Sequence, residues 1–213
     1  MTRRRDERAA CPCCGHPDHD FTALPSASYA YLLGMYLGDG DISRYARTLR
    51  LRITLDTKWP SIIFSCESAM RAVFPQNRVG CYHPDRKAGC VVVSVYSKQA
   101  VCLFPQHGDG PKHVRRIRLT PWQRTIVCAR PEDFLRGLIH SDGSRFINRV
   151  HVNGKAYEYT RYNFTSASDD IRSLFTEACD QLGVDWRQMN QRNVSVARRA
   201  SVARLDRFIG PKA

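Results

Sequence analysis

The sequence lacks any apolar run long enough to cross a bilayer. Its longest, Tyr29 to Gly38, is about half the length required. No apolar stretch follows the opening MTRRRDER, so no secretory signal is expected. Acids are too few to balance bases, with 20 Asp and Glu against 33 Lys and Arg and a net charge of +13. The nine cysteines are an odd number, and most stand singly in apolar segments. That usage suits reduced thiols in a cytoplasmic protein, not a disulfide framework. These shortages exclude secreted, membrane-spanning and fibrous classes. What is present is a chain of 213 residues, 43% hydrophobic, enough for one large core or two small ones. The positive excess points to a polyanionic partner, nucleic acid before an anionic membrane surface.

Residues 1–25 read as a separate basic arm with three consecutive arginines and a Cys/His cluster. From Tyr29 a helix is expected, capped by Ser26 or Ser28 and ending at Asp39, with Gly40 suited to a left-handed turn. Leu49, Leu51, Ile53 and Leu55 alternate with Arg50, Arg52, Thr54 and Asp56, the pattern of a half-buried strand. Trp59–Phe74 predicts an amphipathic helix with a stripe of Ile62, Ile63, Cys66, Met70 and Val73. Two further strands are expected near Arg78–His83 and Gly89–Tyr96, then a short helix over Lys98–Phe104. Residues 105–125, with the basic run KHVRRIR, read as a linker.

The pattern then recurs. Phe134–Ser141 followed by Asp142-Gly143 mirrors Leu32–Gly38 followed by Asp39-Gly40. Residues 160–183 mirror 49–74, and SVARRASVARLDRF mirrors SVYSKQAVCLF, with Ser94-Val95 on Ser195-Val196. The chain is an internal duplication, residues 26–104 and 126–213, expected to fold as a pseudo-two-fold pair and to be a monomer.

The repeated motifs are LLGMYLGDG at 32–40 and LRGLIHSDG at 135–143. Gly34 with Gly38, and Gly137 with Ser141, put small residues on one helix face, where two backbones can approach closely. Each helix ends in an acid, Asp39 or Asp142, although the macrodipole already makes that end negative. A single Asp-Gly would read as a plain turn after a helix; the same violation at two equivalent positions points instead to a functional site. A hard divalent cation, Mg²⁺ or Mn²⁺, held by both carboxylates and backbone carbonyls, is the simplest compensation.

The segment CPCCGHPDH holds Cys11, Cys14, His16 and His19 at zinc-knuckle spacing. No second CxxC exists. Three readings stay open: a cramped Zn²⁺ site of those four, coordination shared with a distant Cys, or a reduced arm without metal. Cys66, Cys102 and Cys179 sit on apolar faces and read as core.

The two motifs resemble those of the LAGLIDADG homing endonucleases, and the resemblance covers about residues 26–210. It implies an α+β fold of duplicated αββαββα repeats. The motif helices would form the central interface and the two sheets a saddle over double-stranded DNA. It implies a site-specific, metal-dependent DNA endonuclease, with Asp39 and Asp142 as catalytic acids and metal ligands. A basic residue near the end of each repeat's last strand is expected to polarise the attacking water. Lys98 takes that place in the first half and Arg199 in the second, where Arg is a poor proton carrier. At the sixth motif position, where an acid is common in the family, stand Leu37 and His140. No terminal His-Asn is present, so a free-standing, nucleoid-associated protein is expected instead of one embedded in an intein.

On that architecture the outward strand residues would meet DNA: Arg50, Arg52 and Thr54 in the first half, and Tyr159, Arg161 and Asn163 in the second. Arg149 and His151 are expected beside them on the preceding strand. Arg115, Arg116 and Arg118 in the linker are expected at phosphates. Two alternatives keep the scaffold but change the activity: a non-cleaving, sequence-specific transcriptional regulator, and an RNA-splicing maturase.

Overall fold

The computed structural model describes residues 11–16, 19–84 and 89–210. The Arg3–Arg5 run and Pro211–Ala213 lie outside the described residues. The first repeat comprises α1 (Ser26–Asp39), β1 (Gly40–Tyr45), β2 (Thr48–Asp56), α2 (Pro60–Val73), β3 (Val79–Tyr82), β4 (Cys90–Tyr96) and α3 (Ala100–Leu103). A connecting helix α4 (Pro121–Ala129) follows. The second repeat comprises α5 (Pro131–Asp142), β5 (Gly143–Val152), β6 (Lys155–Thr165), α6 (Asp169–Gln181), β7 (Arg187–Gln188), β8 (Asn193–Val196) and α7 (Arg199–Ile209).

Each half forms one four-stranded antiparallel sheet, in the orders β1-β2-β4-β3 and β5-β6-β8-β7. The fold is thus the expected α+β duplication. Even the register repeats. Gly40 pairs with Ile53 and Ile53 with Val93, while Gly143 pairs with Phe164 and Phe164 with Val194. Ser94-Val95 and Ser195-Val196 are therefore equivalent.

Alternation fixes which face each sheet buries. Leu51, Ile53 and Leu55 point into the core in the first half, and Tyr162 and Phe164 in the second. On α2 the buried stripe is Ile62, Cys66, Ala69, Met70 and Val73. Helix α1 is buried at every position from Tyr29 to Leu37, because α5, α2 and β2 surround it. This is why its sequence is apolar all round instead of amphipathic.

Helices α1 and α5 pack backbone to backbone. A Cβ at Gly34 would sit 2.5 Å from the Phe134 carbonyl oxygen, and one at Gly137 would sit 2.2 Å from the Tyr31 carbonyl oxygen. Gly38 faces the Ser141 hydroxyl at the same seam. Only glycine permits that approach.

Gly40 does not make the left-handed turn expected of it. Its φ of −82° and ψ of 151° are extended, and it opens β1 directly. The requirement for glycine is steric: a Cβ there would meet the Tyr36 Cα at 2.5 Å. Gly143 is equivalent, facing the Ile139 Cα.

Residues 105–125 are not a passive connection. Helix α4 starts inside them at Pro121, with a Thr120–Gln123 capping box. Gln123 is fully buried. Its side-chain amide donates to Tyr29 Oη at 2.7 Å, and the Gln106 amide donates to Gln123 Oε1 at 2.6 Å. Ile117 and Leu119 are also buried. The part of the arm next to α1 is docked too: Phe21 stacks on Trp122 with ring centroids 4.0 Å apart.

Candidate active site and nucleic-acid interface

The seam between α1 and α5 brings the two motif ends together. Asp142 Oδ2 lies 3.1 Å from where a Cβ on Gly38 would be, one residue from Asp39. Asp39 is exposed and Asp142 half-buried, so solvent and solutes reach the pair. Each is followed by the first residue of a strand, so the acids stand where both sheets begin.

A third group completes this place. Lys112 comes from the segment between the halves, in a 3-10 turn over Lys112–Val114. Its Nζ donates to the carbonyls of Gly38 at 2.9 Å and Gly40 at 2.6 Å. It also lies 5.1 Å from the centroid of the Tyr36 ring. Burial holds its pKa down to about 8, against the opposing pull of Asp142 and Asp39. Two backbone carbonyls thus hold the Lys112 amine beside two carboxylates, whose pull offsets part of the cost of its burial. The donor set, two carboxylates and backbone carbonyls, fits a hard divalent ion. The sequence carries no signal for Lys112 beyond its place in the run KHVRRIR.

The bases expected there lie elsewhere. Val93 is level with Gly40, and Lys98 follows five residues later, roughly 15 Å further at the strand rise. It lines a surface cavity with Cys13, Cys14, Arg44 and Arg47 at the tip of the β1–β2 hairpin. Arg199 is displaced in the same way, opening α7 beside Tyr159 and Thr160. Both β4 and β8 run away from the acid pair, so their far ends cannot reach it.

The outer face of the first sheet carries Arg50, Arg52 and Thr54, as their alternation requires. Arg50 is pre-positioned. Its guanidinium donates to Tyr82 Oη at 2.6 Å and lies about 5 Å from the Tyr82 and Tyr96 ring centroids. Arg52 pairs with Asp41 at 2.9 Å. In the second sheet, Tyr159, Arg161 and Asn163 share a face with Thr165, and Asn163 donates to Asn193 Oδ1 at 3.1 Å.

Arg149 and His151 are a correction. Directly paired strand residues point to one side. Tyr159 pairs with Asn148, Arg161 with Phe146 and Asn163 with Ser144. Arg149 instead pairs with Glu158, to which it is ion-paired at 2.8 Å, and His151 pairs with Ala156. Both therefore project to the opposite face. The Asn153-Gly154 turn, with φ of 52° and 76°, sets this register by matching odd residues to even ones. The outward residues of β5 are Ser144, Phe146 and Asn148.

Arg115 is a second correction. Its guanidinium donates to the carbonyls of Gly108, Asp109 and Gly110 and is committed to its own loop. Arg116 and Arg118 are exposed, with Arg116 3.6 Å from Asp170. At the sixth motif position Leu37 is buried. His140 is buried between Tyr31 Oη at 2.9 Å and the Ile209 carbonyl at 3.1 Å. The carbonyl takes the Nε2–H, so Nδ1 accepts from Tyr31, and the ring ties α1 to the end of α7.

Of the four arm residues, Cys11, Cys14 and His19 come together, but His16 is exposed and outside the cluster. Cys102, read from the sequence as core, takes the fourth place. It lies on α3, half-buried and facing the arm.

No protein-family model matches this sequence, and no curated protein matches it. Solved structures do match its shape. The chain resembles I-DmoI in complex with DNA and Mn at 16% identity and a TM-score of 0.58, over 87% of this chain and 98% of that one. It resembles the LAGLIDADG meganuclease I-AabMI bound to uncleaved DNA at 11% identity and a TM-score of 0.53, over 84% and 82%. A variant of I-SmaMI matches at 8% identity and a TM-score of 0.53, over 85% and 84%. The chain therefore has the fold of the LAGLIDADG homing endonucleases. Among the described residues, no helix is long and apolar enough to cross a membrane.

Proposed function

We propose that this chain is a LAGLIDADG-type endonuclease that lays both sheets along duplex DNA and hydrolyses phosphodiester bonds at the α1–α5 tips. The observation that supports the reading is the adjacency of the two motif ends across the α1–α5 seam, where Asp142 Oδ2 lies 3.1 Å from a Cβ position on Gly38, the residue before Asp39. The neighbours I-DmoI and I-AabMI were solved with DNA, and I-DmoI with Mn, which supports the same use here.

In this reading Asp39 and Asp142 would hold Mg²⁺ or Mn²⁺, which when bound supplies a Lewis acid for a phosphate oxygen and an acidified water. The chain's own residues do the rest. The acids, fixed by the glycine seam, set where the scissile phosphate lies. Lys112 Nζ offsets their charge before DNA arrives and supplies a fixed positive charge to the phosphate afterwards. Arg50 and Arg161 offer bidentate donors to base edges, and Asn163 an amide. Arg116 and Arg118 are placed for phosphates.

Selection of a bound duplex from a random library, followed by incubation with Mg²⁺ or Mn²⁺, tests the reading. Cleavage of the selected site is expected, with affinity falling steeply as salt rises. Specific binding without cleavage in either metal favours the second reading, a transcriptional regulator. One observation already leans toward that alternative: a tethered ammonium occupies the carbonyls that a metal would use.

A further inference from the structure

We infer that Cys11, Cys14, His19 and Cys102 form a structural zinc site that bolts the N-terminal arm to α3. The inference stands apart from the nuclease reading and does not depend on it. The four ligand atoms all lie within 4.8 Å of one another. Tetrahedral zinc with Zn–S near 2.3 Å places two sulfurs about 3.8 Å apart. Cys11 Sγ and Cys102 Sγ are 3.7 Å apart. A sulfur and an imidazole nitrogen on the same ion would be about 3.5 Å apart, and Cys14 Sγ lies 3.2 Å from His19 Nε2. Both pairs are thus already spaced as ligands of one ion.

The loop has the form such a site needs. Gly15 N–H donates to the Cys11 carbonyl at 2.8 Å and Cys11 N–H to the His16 carbonyl at 2.7 Å, closing a tight turn with Gly15 at a φ of 72°. Cys14 is buried although its neighbours are exposed. His19 is steadied by Phe21, 5.4 Å away between ring centroids, and Phe21 by Trp122.

Four ligands from two distant segments close the coordination shell, which marks a structural site and not a catalytic one. Residues 11–19 bring three ligand atoms together, with His16 exposed and outside the cluster. The arm's CxxC supplies two ligands and His19 a third, and α3 supplies the fourth across the fold. The knuckle faces Arg44, Arg47 and Lys98 at the β1–β2 tip across a cavity of about 390 Å³.

The experiment is metal analysis of the full chain purified without chelator, with cobalt exchange. One equivalent of zinc per chain is expected, and Co²⁺ should give the intense visible bands of a tetrahedral thiolate site. Cys102→Ser and His19→Ala should each lower bound zinc to below about a tenth of an equivalent. His16→Ala should keep the full equivalent. Limited proteolysis should cut the arm of His19→Ala much faster than that of the parent chain. His19 lies outside the hydrophobic core, so that variant stays informative even if Cys102→Ser fails to fold. Less than a tenth of an equivalent of zinc with no cobalt bands overturns the inference. So does a Cys11–Cys102 disulfide found by mass spectrometry, or full zinc retention in His19→Ala.

Discussion

Replacing Gly137 with alanine should open the α1–α5 seam. The added Cβ would lie 2.2 Å from the Tyr31 carbonyl oxygen and 3.0 Å from both the Gly34 Cα and the Met35 nitrogen. All three are backbone atoms of a helix buried from Tyr29 to Leu37, so no rotamer change relieves the contact. The helices must separate by about 1 Å, and a gap of that size forfeits a quarter to a half of each dispersion contact along the seam. Overpacking of this kind costs about 1–3 kcal/mol or more. Alanine's better helix propensity returns roughly 1 kcal/mol. Because backbone meets backbone, we expect the upper end of that cost, a net loss of about 2 kcal/mol. In a chain of this size that lowers Tm by roughly 4–8 °C. Gly80→Ala is the control, since nothing lies within 4 Å of its Cβ position, and it should change stability by less than about 0.5 kcal/mol. Thermal and urea denaturation of both variants measure the difference. A Gly137→Ala protein as stable as the parent would refute the close backbone packing, and with it the reason the two acids meet.

Asp39→Asn and Asp142→Asn should each abolish cleavage of a selected site while changing its affinity little; gel shift and cleavage assays on one substrate read both, and a cleaving double variant would remove the site assignment. Lys112→Met removes the ammonium from the Gly38 and Gly40 carbonyls. Calorimetric Mn²⁺ affinity without DNA should rise, while cleavage should fall roughly a hundredfold; an unchanged metal affinity would mean that Lys112 and metal do not share a locus. Asp206 is held below the usual carboxylate range first by its hydrogen bond from Arg145, against some burial, with Tyr162 Oη also donating. Its folded pKa is the lower one, so its stabilisation is complete above the ordinary value near ~4 and is lost as pH falls through the folded value. The stability gap between the parent and Asp206→Asn, followed by denaturation across acid pH, should therefore begin to narrow at about pH 4 and close once the pH is below the folded value. A gap that persists there would show that packing, not charge, sets it.

Much of the fold was legible because it rests on local periodicity. The strand alternation at 49–56, the stripe on α2 and the two motif helices each follow from spacing, and their repetition disclosed the duplication. What was illegible depends on how distant segments meet. Arg149 and His151 look like partners of Tyr159 until the Asn153-Gly154 turn fixes an odd-to-even register. Lys98 and Arg199 are basic and near strand ends, but direction matters, and both strands run away from the acids. Lys112 and Cys102 were hidden for the same reason. One reaches the motif tips from a segment read as a linker, the other faces the arm from a helix read as core. Arg115 shows the converse: in a basic run every arginine looks available, yet this one closes its own loop.

The two hairpins that open the sheets are unequal. In the first, β1 and β2 have 6 and 9 residues, and in the second, β5 and β6 have 10 and 11. In a homodimer, any substitution is copied to both sides at once, and the pair is bound to mirror-image vocabulary. Here a change on β6 leaves β2 untouched. Each wing can drift, or be engineered, on its own, and what the molecule grips is free to be lopsided.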